Sequence, residues 1–360
     1  GPPTTPKRPR SSSTSTAVNS SFLCADGLTG FDKHIQFHTV PYTLDQLTAF
    51  QKIVDLELMG RLGIHTSSVD VKSNQLLLGV EDDSDDAKRE ISTTLSQLGY
   101  TDTNMYRLEK MPRTETTGSF DFSGNPVDMS NGIPDRLIDA ARDIVYIAPG
   151  SWLGQGSSIS SITGVSSLCT GFLYNGTPGY LSCGHGKMVG MKIFYQPVPS
   201  SGSYPSNLFD YNTSDLVEIG QVAAAYWNSG DAYDCASILA ANSNCIMDSN
   251  NFCGAGINGD GGVPEVGEMM AMCGCADGAG FGACVATSAT VIFTGGIIKT
   301  DMLKMNYLTT SGSSGGCVVY QDGSTAQVIL TGLVAGANGI YYTHSKYGLV
   351  KSRFNLTTVF

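Results

Sequence analysis

The stretch TTSGSSGGCVVY, residues 309–320, places two serines and three glycines in five consecutive positions, directly before an apolar run. A serine at Ser314 can attack a carbonyl carbon, and the carbonyl oxygen then becomes an oxyanion that converging backbone N–H groups stabilise. Glycine adopts backbone conformations that other residues avoid, so the amides of Gly312 and Ser314 can point at one site. The stretch predicts either an acyl-transfer site or a tight Gly–Ser turn before a strand.

A nucleophilic serine needs a general base within hydrogen-bond reach, and the base needs a carboxylate that orients it. His185 lies in GYLSCGHGK, directly after an apolar run, and is the best placed of the five histidines. The segment NSGDAYDCASILA offers two carboxylates. Asp234 opens an alternating pattern typical of a strand, whereas Asp231 lies among turn residues, so Asp234 is favoured. The residues together predict a triad of Ser314, His185 and Asp234.

The order His185, Asp234, Ser314 along the chain is that of the chymotrypsin-like serine proteases. Three segments resemble the bacterial branch of that family, the α-lytic protease and streptogrisin group: CTGFLYNGTPGYLSCGHG, VGEMMAMCGCADGAGFGACVAT and SGSSGGCVV. The resemblance covers residues 144–360 and implies a double antiparallel β-barrel. It also implies that the N–H groups of Gly312 and Ser314 form the oxyanion hole, and that no cofactor is needed.

Two departures from the family pattern bear on this chemistry. Ser313 stands where the family usually has an aspartate before the nucleophile, so activation through a salt bridge of that aspartate is not expected. Gly186 stands where the family has a cysteine after the catalytic histidine. The family's disulfide at this place must therefore be rerouted from Cys183, to Cys169 or to Cys235. The resemblance makes four cysteines the main disulfide candidates: Cys169, Cys183, Cys273 and Cys284.

The resemblance also locates the primary specificity pocket, beside the nucleophile turn and along the strand that lines the cleft. The substrate-binding candidates in these segments are Leu308, Ser311, Val334, Ala335 and Gly336. Neither segment contains Asp or Glu. A Lys or Arg side chain of the substrate would therefore be buried there without a negative partner, which costs several kcal/mol. The sequence therefore predicts cleavage after apolar or small residues. An acid from another loop, for instance Asp277, would instead favour cleavage after Lys or Arg.

The elements that position these residues follow from the spacing of apolar residues. Beyond residue 144, many short apolar runs are bounded by glycines, which is typical of an antiparallel sandwich or barrel. Before it, apolar spacings of three and four predict a helix over TLDQLTAFQKIVDLELMGRLG, and SDDAKREISTTLSQLGY predicts a second helix ending at Gly99. VDVKSNQLLLGVED predicts a hairpin around Ser73–Asn74, and NMYRLEKM predicts a strand. The predicted fold class is mainly β, preceded by a small α+β domain.

These patterns divide the chain into four parts. Residues 1–31 are rich in Ser, Thr and Pro and are predicted to be a flexible tail. Residues 32–112 resemble, more loosely, the α+β unit that precedes such barrels in some bacterial relatives, and we expect a folding aid or inhibitor in cis, or else an unrelated accessory domain. Residues 113–143 are predicted to be a linker, with a short helical run at PDRLIDAARDIV. Residues 144–360 form the predicted protease domain.

Composition limits the classes of partner. A net charge of -11 argues against a nucleic-acid surface, and no apolar run approaches the length of a membrane span. Ten irregularly spaced cysteines favour disulfides and secretion, and zinc is not expected because repeated C-x2-C spacing is missing. Four N-x-S/T triplets also suit secretion: Asn19, Asn175, Asn212 and Asn355.

The sequence therefore predicts a secreted serine endopeptidase that acts on polypeptides. A second class of function stays open, a catalytically inactive chymotrypsin-like fold serving as a binding or scaffold module, because Ser313 and the rerouted cysteines depart from the family. A cysteine protease is disfavoured, since neither Cys183 nor Cys317 stands at the nucleophile position.

Overall fold

The computed structural model describes residues 39–116, 138–139, 144–196, 208–211, 213–241, 245–247, 256–307, 312–322 and 327–359. From Tyr42 onward the chain forms one compact unit. The predicted tail, residues 1–31, lies outside the described residues, and so do the predicted pocket residues Leu308 and Ser311. Within the described segments, no helix is both long enough and apolar enough to cross a membrane.

The first elements form an α+β unit whose bounds are α1 (Leu44–Glu57), β1 (Ile64–Asp70), β2 (Gln75–Val80), α2 (Asp85–Gln97) and β3 (Tyr106–Lys110). The two helices, the hairpin and the last strand predicted here are confirmed. Thr43 begins α1 with a capping box, and Ser84 caps α2 through Ala87 N. The apolar faces of the helices pack on the sheet in one core, which includes Phe50, Val54, Leu78, Ile91 and Leu95.

The remaining elements are, in chain order, β4 (Glu115–Thr116), β5 (Ile138–Asp139), β6 (Ile144–Ile147), β7 (Trp152–Gly156), β8 (Ile162–Ser167), β9 (Thr170–Tyr174), β10 (Thr177–Ser182), β11 (Lys192–Tyr195), β12 (Val217–Tyr226), β13 (Cys235–Ala240), β14 (Cys245–Met247), β15 (Gly259–Asp260), β16 (Met269–Gly274), β17 (Gly278–Ile292), β18 (Ile298–Met305), β19 (Cys317–Gln321), β20 (Val328–Ala337), β21 (Tyr342–Lys346), α3 (Tyr347–Phe354) and β22 (Thr357–Val359).

The first large sheet has the order β22-β9-β10-β13-β12-β11-β7-β8, and all its neighbours are antiparallel. Five different strands of this sheet contribute to a single core, through Leu153, Tyr180, Ile193, Ile219 and Ile238. Strands that share one core must curl around it, so this sheet forms the first barrel.

The second large sheet closes on itself. Its strands follow the order β16-β19-β20-β21-β18-β17, and β17 pairs back with β16 through antiparallel contacts. Its interior is filled by residues such as Met272, Leu303, Val318, Val334 and Tyr342. The predicted fold class, mainly β with two antiparallel barrels after a small α+β unit, is confirmed.

The α+β unit continues the second barrel. Strand β1 pairs antiparallel with β17, with Ser67 opposite Thr290, and β4 pairs antiparallel with β20, with Thr116 opposite Gly336. Hydrogen-bonded sheet therefore runs across the predicted boundaries between the α+β domain, the linker and the barrels. The positions of those boundaries stay predictions.

The short helix predicted at PDRLIDAARDIV is wrong, because strands occupy its described residues. Ile138 in β5 lies opposite Val145 in β6, and β6 pairs in parallel with β14, about a hundred residues later in the chain. Pairing with a distant strand outweighs a weak local helical pattern, because each paired backbone group gains a partner.

Candidate active site

The nucleophile turn lies directly before β19 and is shaped by glycines. Gly312 has φ +98° and Gly315 has φ +83°, in the left-handed region that favours glycine. A Cβ at Gly315 would stand 2.5 Å from Ser167 O, so a side chain does not fit there. Ser314 between them is fully buried, and its carbonyl oxygen accepts a hydrogen bond of 2.7 Å from Ser167 N. The turn is therefore held against the first barrel.

His185 and Asp234 are brought together by strand register. Ser182 near the end of β10 lies opposite Ala236 near the start of β13, so the residues just beyond these ends are neighbours. His185 Nδ1 lies 2.5 Å from Asp234 Oδ2 and donates to it. Asp234 is fully buried, and its Oδ1 accepts from the backbone N of Gly184 at 2.7 Å and of His185 at 2.9 Å. Asp231 makes no such contact, so Asp234 is the partner of His185.

The charges around His185 favour its protonated form. Burial lowers the pKa of His185, but the negative charges of Asp234 and the Cys183 thiolate outweigh burial and raise it to about 10. In turn, burial raises the pKa of Cys183, but the positive charges of His185 and Lys187 lower it to about 7. The surroundings of His185 therefore stabilise the imidazolium, the form that the ring has after it takes up a proton.

The outer nitrogen of His185, Nε2, makes no hydrogen bond within the described parts of the chain. The predicted contact between Ser314 Oγ and Nε2 is therefore not made in this arrangement. Catalytic hydrogen bonds are often long before substrate binds and shorten in the complex. The structure brings His185 and Asp234 together, and the contact of Ser314 with His185 stays a prediction.

The amides of the nucleophile turn are partly committed to the fold. Gly315 N donates to Val334 O at 2.8 Å, and Gly316 N donates to Ser313 O at 2.9 Å. These two amides are thereby excluded as oxyanion donors. The predicted donors, the N–H groups of Gly312 and Ser314, are carried forward as a proposal.

Ser313 stands where the resembled family has an aspartate. Its hydroxyl contacts a carboxylate in the turn between β16 and β17. Its side chain is fully buried, and Ser313 Oγ donates to Asp277 Oδ2 at 2.6 Å. Asp277 lies in the turn between β16 and β17, where Gly274 leaves room because a Cβ there would stand 2.6 Å from Ser313 Oγ. The acid that sequence reasoning considered for the pocket is therefore bound to the nucleophile turn.

The predicted disulfides are wrong at three of the four cysteines. Cys169, Cys183 and Cys284 are free thiols. Cys183 Sγ instead lies 3.3 Å from Lys187 Nζ. Cys169 Sγ lies 3.9 Å from Gly332 O, and burial and the nearby thiols of Cys317 and Cys235 raise its pKa. Cys273 is disulfide-bonded, and its partner is not Cys284.

The pocket candidates that the structure describes lie on β20. Val334 and Ala335 are fully buried, in the cores of the second barrel, and Gly336 lies at the edge where β4 pairs. Their contact with a substrate stays a prediction. At this edge Gly336 lies opposite Thr116 of the predicted linker.

Sequence reasoning missed three residues that hold the site. Ser167 Oγ donates to Gly312 O at 2.9 Å and accepts from Cys275 N at 2.8 Å. Ser345 Oγ accepts from Asp234 N at 2.7 Å. Trp227 stands edge-on to the His185 ring, with centroids 5.3 Å apart. Serines are common and these lie far from the triad in sequence, so no local signal marks them. Within the described residues, no cluster of His, Cys, Asp or Glu could hold a metal ion.

Comparison with known proteins gives structural similarity alone, since no family model and no curated protein matches the chain. Thermobifida fusca protease A is 16% identical, with a TM-score of 0.44, over 60% of this chain and 99% of that one. A Cellulomonas bogoriensis chymotrypsin is 16% identical, with a TM-score of 0.43, over 59% and 98%. An α-lytic protease homologue, N4, is 17% identical, with a TM-score of 0.43, over 59% and 99%.

Proposed function

We propose that the protein is a serine endopeptidase. The observation that carries the proposal is the buried 2.5 Å hydrogen bond from His185 Nδ1 to Asp234, whose other oxygen accepts two backbone amides. A buried carboxylate held in this way fixes the tautomer of the imidazole and stabilises its protonated form. The pair lies just beyond the ends of two strands of the first barrel, against which the turn that carries Ser314 is held.

In the proposed mechanism Ser314 Oγ attacks the peptide carbonyl, and His185 Nε2 takes the hydroxyl proton and later gives it to the leaving amine. Asp234 orients the ring and stabilises the imidazolium. The N–H groups of Gly312 and Ser314 receive the developing oxyanion, where loss of one donor costs roughly 3 kcal/mol. Water then hydrolyses the acyl-enzyme by the same proton transfers in reverse roles.

The test is hydrolysis of a peptide panel by the protein and by Ser314→Ala. Loss of the nucleophile lowers kcat by about 10⁶-fold. Ser313→Ala is the matched control, with the same substitution one residue earlier in the turn, and it retains at least about a tenth of the wild-type rate because it loses only the bond to Asp277. Equal rates for wild type and Ser314→Ala would overturn the proposal.

One observation favours the second candidate function, an inactive fold used as a binding module. His185 Nε2 has no partner within the described residues, and a pKa of about 10 keeps the ring protonated at neutral pH. A base that is already protonated cannot accept the serine proton. Absence of hydrolysis across pH 6 to 10 would favour the binding module.

For the α+β unit, we propose action in cis as a folding aid or inhibitor. Three contacts with the second barrel support this: β1 extends its sheet at β17, Thr290 Oγ1 donates to the half-buried Asp55 at 2.7 Å, and Gln51 Nε2 donates to Ser288 O at 3.3 Å. In addition, β4 pairs antiparallel with β20 at Gly336, where an extended peptide substrate would add its own strand.

A refolding experiment tests the proposal that the α+β unit acts in cis. Residues 144–360 are refolded alone and with residues 1–143 supplied in trans, and both folding rate and peptide hydrolysis are followed. We expect slow or incomplete folding alone, because the barrels depend on distant pairings, and faster folding with the unit present. If the isolated domain reaches full activity and the added unit neither speeds folding nor inhibits, the proposal is wrong.

The proposed specificity is for apolar or small residues before the scissile bond. It is supported by the apolar character of Val334 and Ala335 and by the engagement of Asp277 with Ser313. Peptides that differ only at that residue should give kcat/KM about tenfold or more higher for Leu, Phe or Ala than for Arg or Lys. The opposite order would show that an acid reaches the pocket.

Secretion remains a prediction that rests on the N-x-S/T triplets. The disulfide argument for it is weakened, because seven cysteines among the described residues are free thiols.

A further inference from the structure

The connection between β12 and β13 carries two residues that touch the base. Asp234, at its end, bonds His185, and Trp227, at its start, stands edge-on to the same ring at 5.3 Å. The Trp227 ring is in turn 5.0 Å from Phe293 of the second barrel. We name residues 227–234 the acid loop. Its conformation sets the position of both groups that orient His185.

Lys299, on β18 of the second barrel, reaches into the acid loop. Its side chain is fully buried, and Lys299 Nζ donates to Asn228 O at 2.9 Å and to Tyr233 O at 2.8 Å. The ammonium also stands 4.7 Å from the centroid of the Trp227 ring. A buried ammonium is costly unless hydrogen bonds and nearby negative charge compensate it. Here both ends of the acid loop supply that compensation.

The start of β18 reinforces this attachment. Gly230 N donates to Ile298 O at 2.8 Å, and Ile298 N donates to Ser229 Oγ at 3.1 Å. The middle of the acid loop is therefore bonded to the same strand as its two ends. The nucleophile turn precedes β19, which belongs to the same barrel as β18.

We propose that Lys299 is a positioning residue, which clamps the acid loop of the first barrel to the second barrel and so holds the Asp234–His185 pair in place relative to Ser314. Its catalytic consequence rests on the proposed function, whereas its effect on the Asp234–His185 hydrogen bond does not. The side chain touches neither the substrate nor the reacting atoms. It acts through the backbone carbonyls of Asn228 and Tyr233 and through the Trp227 ring.

The local charges agree with this role. Burial lowers the pKa of Lys299, while the negative charges of Asp234 and Asp231 raise it and so favour the ammonium. The ammonium is thus part of the charge balance of the buried Asp234. A neutral side chain of similar length would leave two carbonyls without their donor and Asp234 with less compensation.

The test substitutes Lys299→Met in the full chain, with Lys304→Met as the matched control. Lys304 lies on the same strand and is equally buried, but its Nζ stands over the Tyr341 ring at 4.4 Å and bonds nothing in the described chain. The first readout is the NMR signal of the proton on His185 Nδ1. This signal lies far downfield because the proton is in a short hydrogen bond to the Asp234 carboxylate. The second is the split between kcat and KM for a peptide substrate.

We expect Lys299→Met to shift or broaden that signal, and to lower kcat about tenfold or more with KM within about twofold, because a small misplacement of catalytic groups acts on the chemical step. Lys304→Met should leave the signal in place. An unchanged signal in Lys299→Met, or equal changes in both variants, would overturn the proposal.

If Lys299→Met does not yield folded protein, Lys299→Gln, which keeps one donor, is measured in the same way, and a signal unchanged from wild type would overturn the proposal. If Lys299→Met shifts the signal but the wild-type protein hydrolyses no peptide, the clamp is supported and the proposed function is overturned. The two failures are therefore distinguishable.

Discussion

Replacing Asp234 by Asn tests the most specific feature of the site. The amide can still accept the N–H groups of Gly184 and His185 through its oxygen, so the loop geometry should survive. Its NH2 group then faces His185 Nδ1, where Asp234 Oδ2 now stands at 2.5 Å. A donor at this place forces the ring into the tautomer with its proton on Nε2, which cannot accept the proton of Ser314.

The size of the effect follows from the charges. The pKa of His185 is raised from 6.5 to about 10, despite burial, by Asp234 and Cys183. A rise of that size corresponds to a net preference of about 5 kcal/mol for the imidazolium, after the opposing effect of burial. By analogy with other serine triads, loss of the carboxylate lowers kcat about 10⁴-fold, which is also about 5 kcal/mol.

The assay is kcat/KM on a peptide substrate for Asp234→Asn beside Asp231→Asn, the same substitution three residues away in the acid loop. Asp231 makes no contact with His185, so its variant should stay within about tenfold of wild type. Thermal unfolding of both variants checks that the fold is kept. A larger loss in Asp231→Asn than in Asp234→Asn would refute the assignment of the triad carboxylate.

Two further predictions concern titration. Cys183→Ser removes a negative charge that raises the pKa of His185, so the acidic limb of the kcat/KM profile should move to lower pH by about one unit. Cys284→Ser is the control, because burial raises the pKa of that thiol to about 11, and it should leave the profile in place. Equal profiles for the two variants would contradict the charge assigned to Cys183. Burial lowers the pKa of His344 from 6.5 to about 3, so the unfolded chain takes up a proton there at a higher pH than the folded chain does. The free energy of unfolding is therefore unaffected by His344 above pH 6.5, and it falls by about 1.4 kcal/mol per pH unit as the pH drops from 6.5 toward 3. His344→Phe should flatten this acid dependence in urea unfolding, and an unchanged slope would show that other groups cause it.

The local elements were predictable because their signals are local. The apolar stripe of α1 and the Ser84 cap of α2 mark helices without reference to the rest of the chain. His185 and Asp234 were predictable because each adjoins an apolar strand pattern, and the motif order added the pairing. The β1–β17 and β4–β20 pairings join segments more than two hundred residues apart, and no local pattern encodes such contacts.

The disulfides and the short linker helix failed for a related reason. Cysteine spacing does not say which polar group a thiol meets, and Cys183 faces Lys187 rather than a sulfur. A helical run of a few residues is a weak signal against a strand partner such as β14. The role of Lys299 was equally hidden, because its partners are backbone carbonyls of another barrel.

The central claim is that Ser314 is a nucleophile activated by His185 and Asp234. The most direct measurement is incubation of the full chain with a fluorophosphonate probe, followed by mass spectrometry of the labelled peptide. The account predicts one adduct per chain, located on Ser314, absent in Ser314→Ala and strongly slowed in Asp234→Asn. An adduct on another residue, or no adduct with wild-type protein between pH 7 and 10, would contradict it.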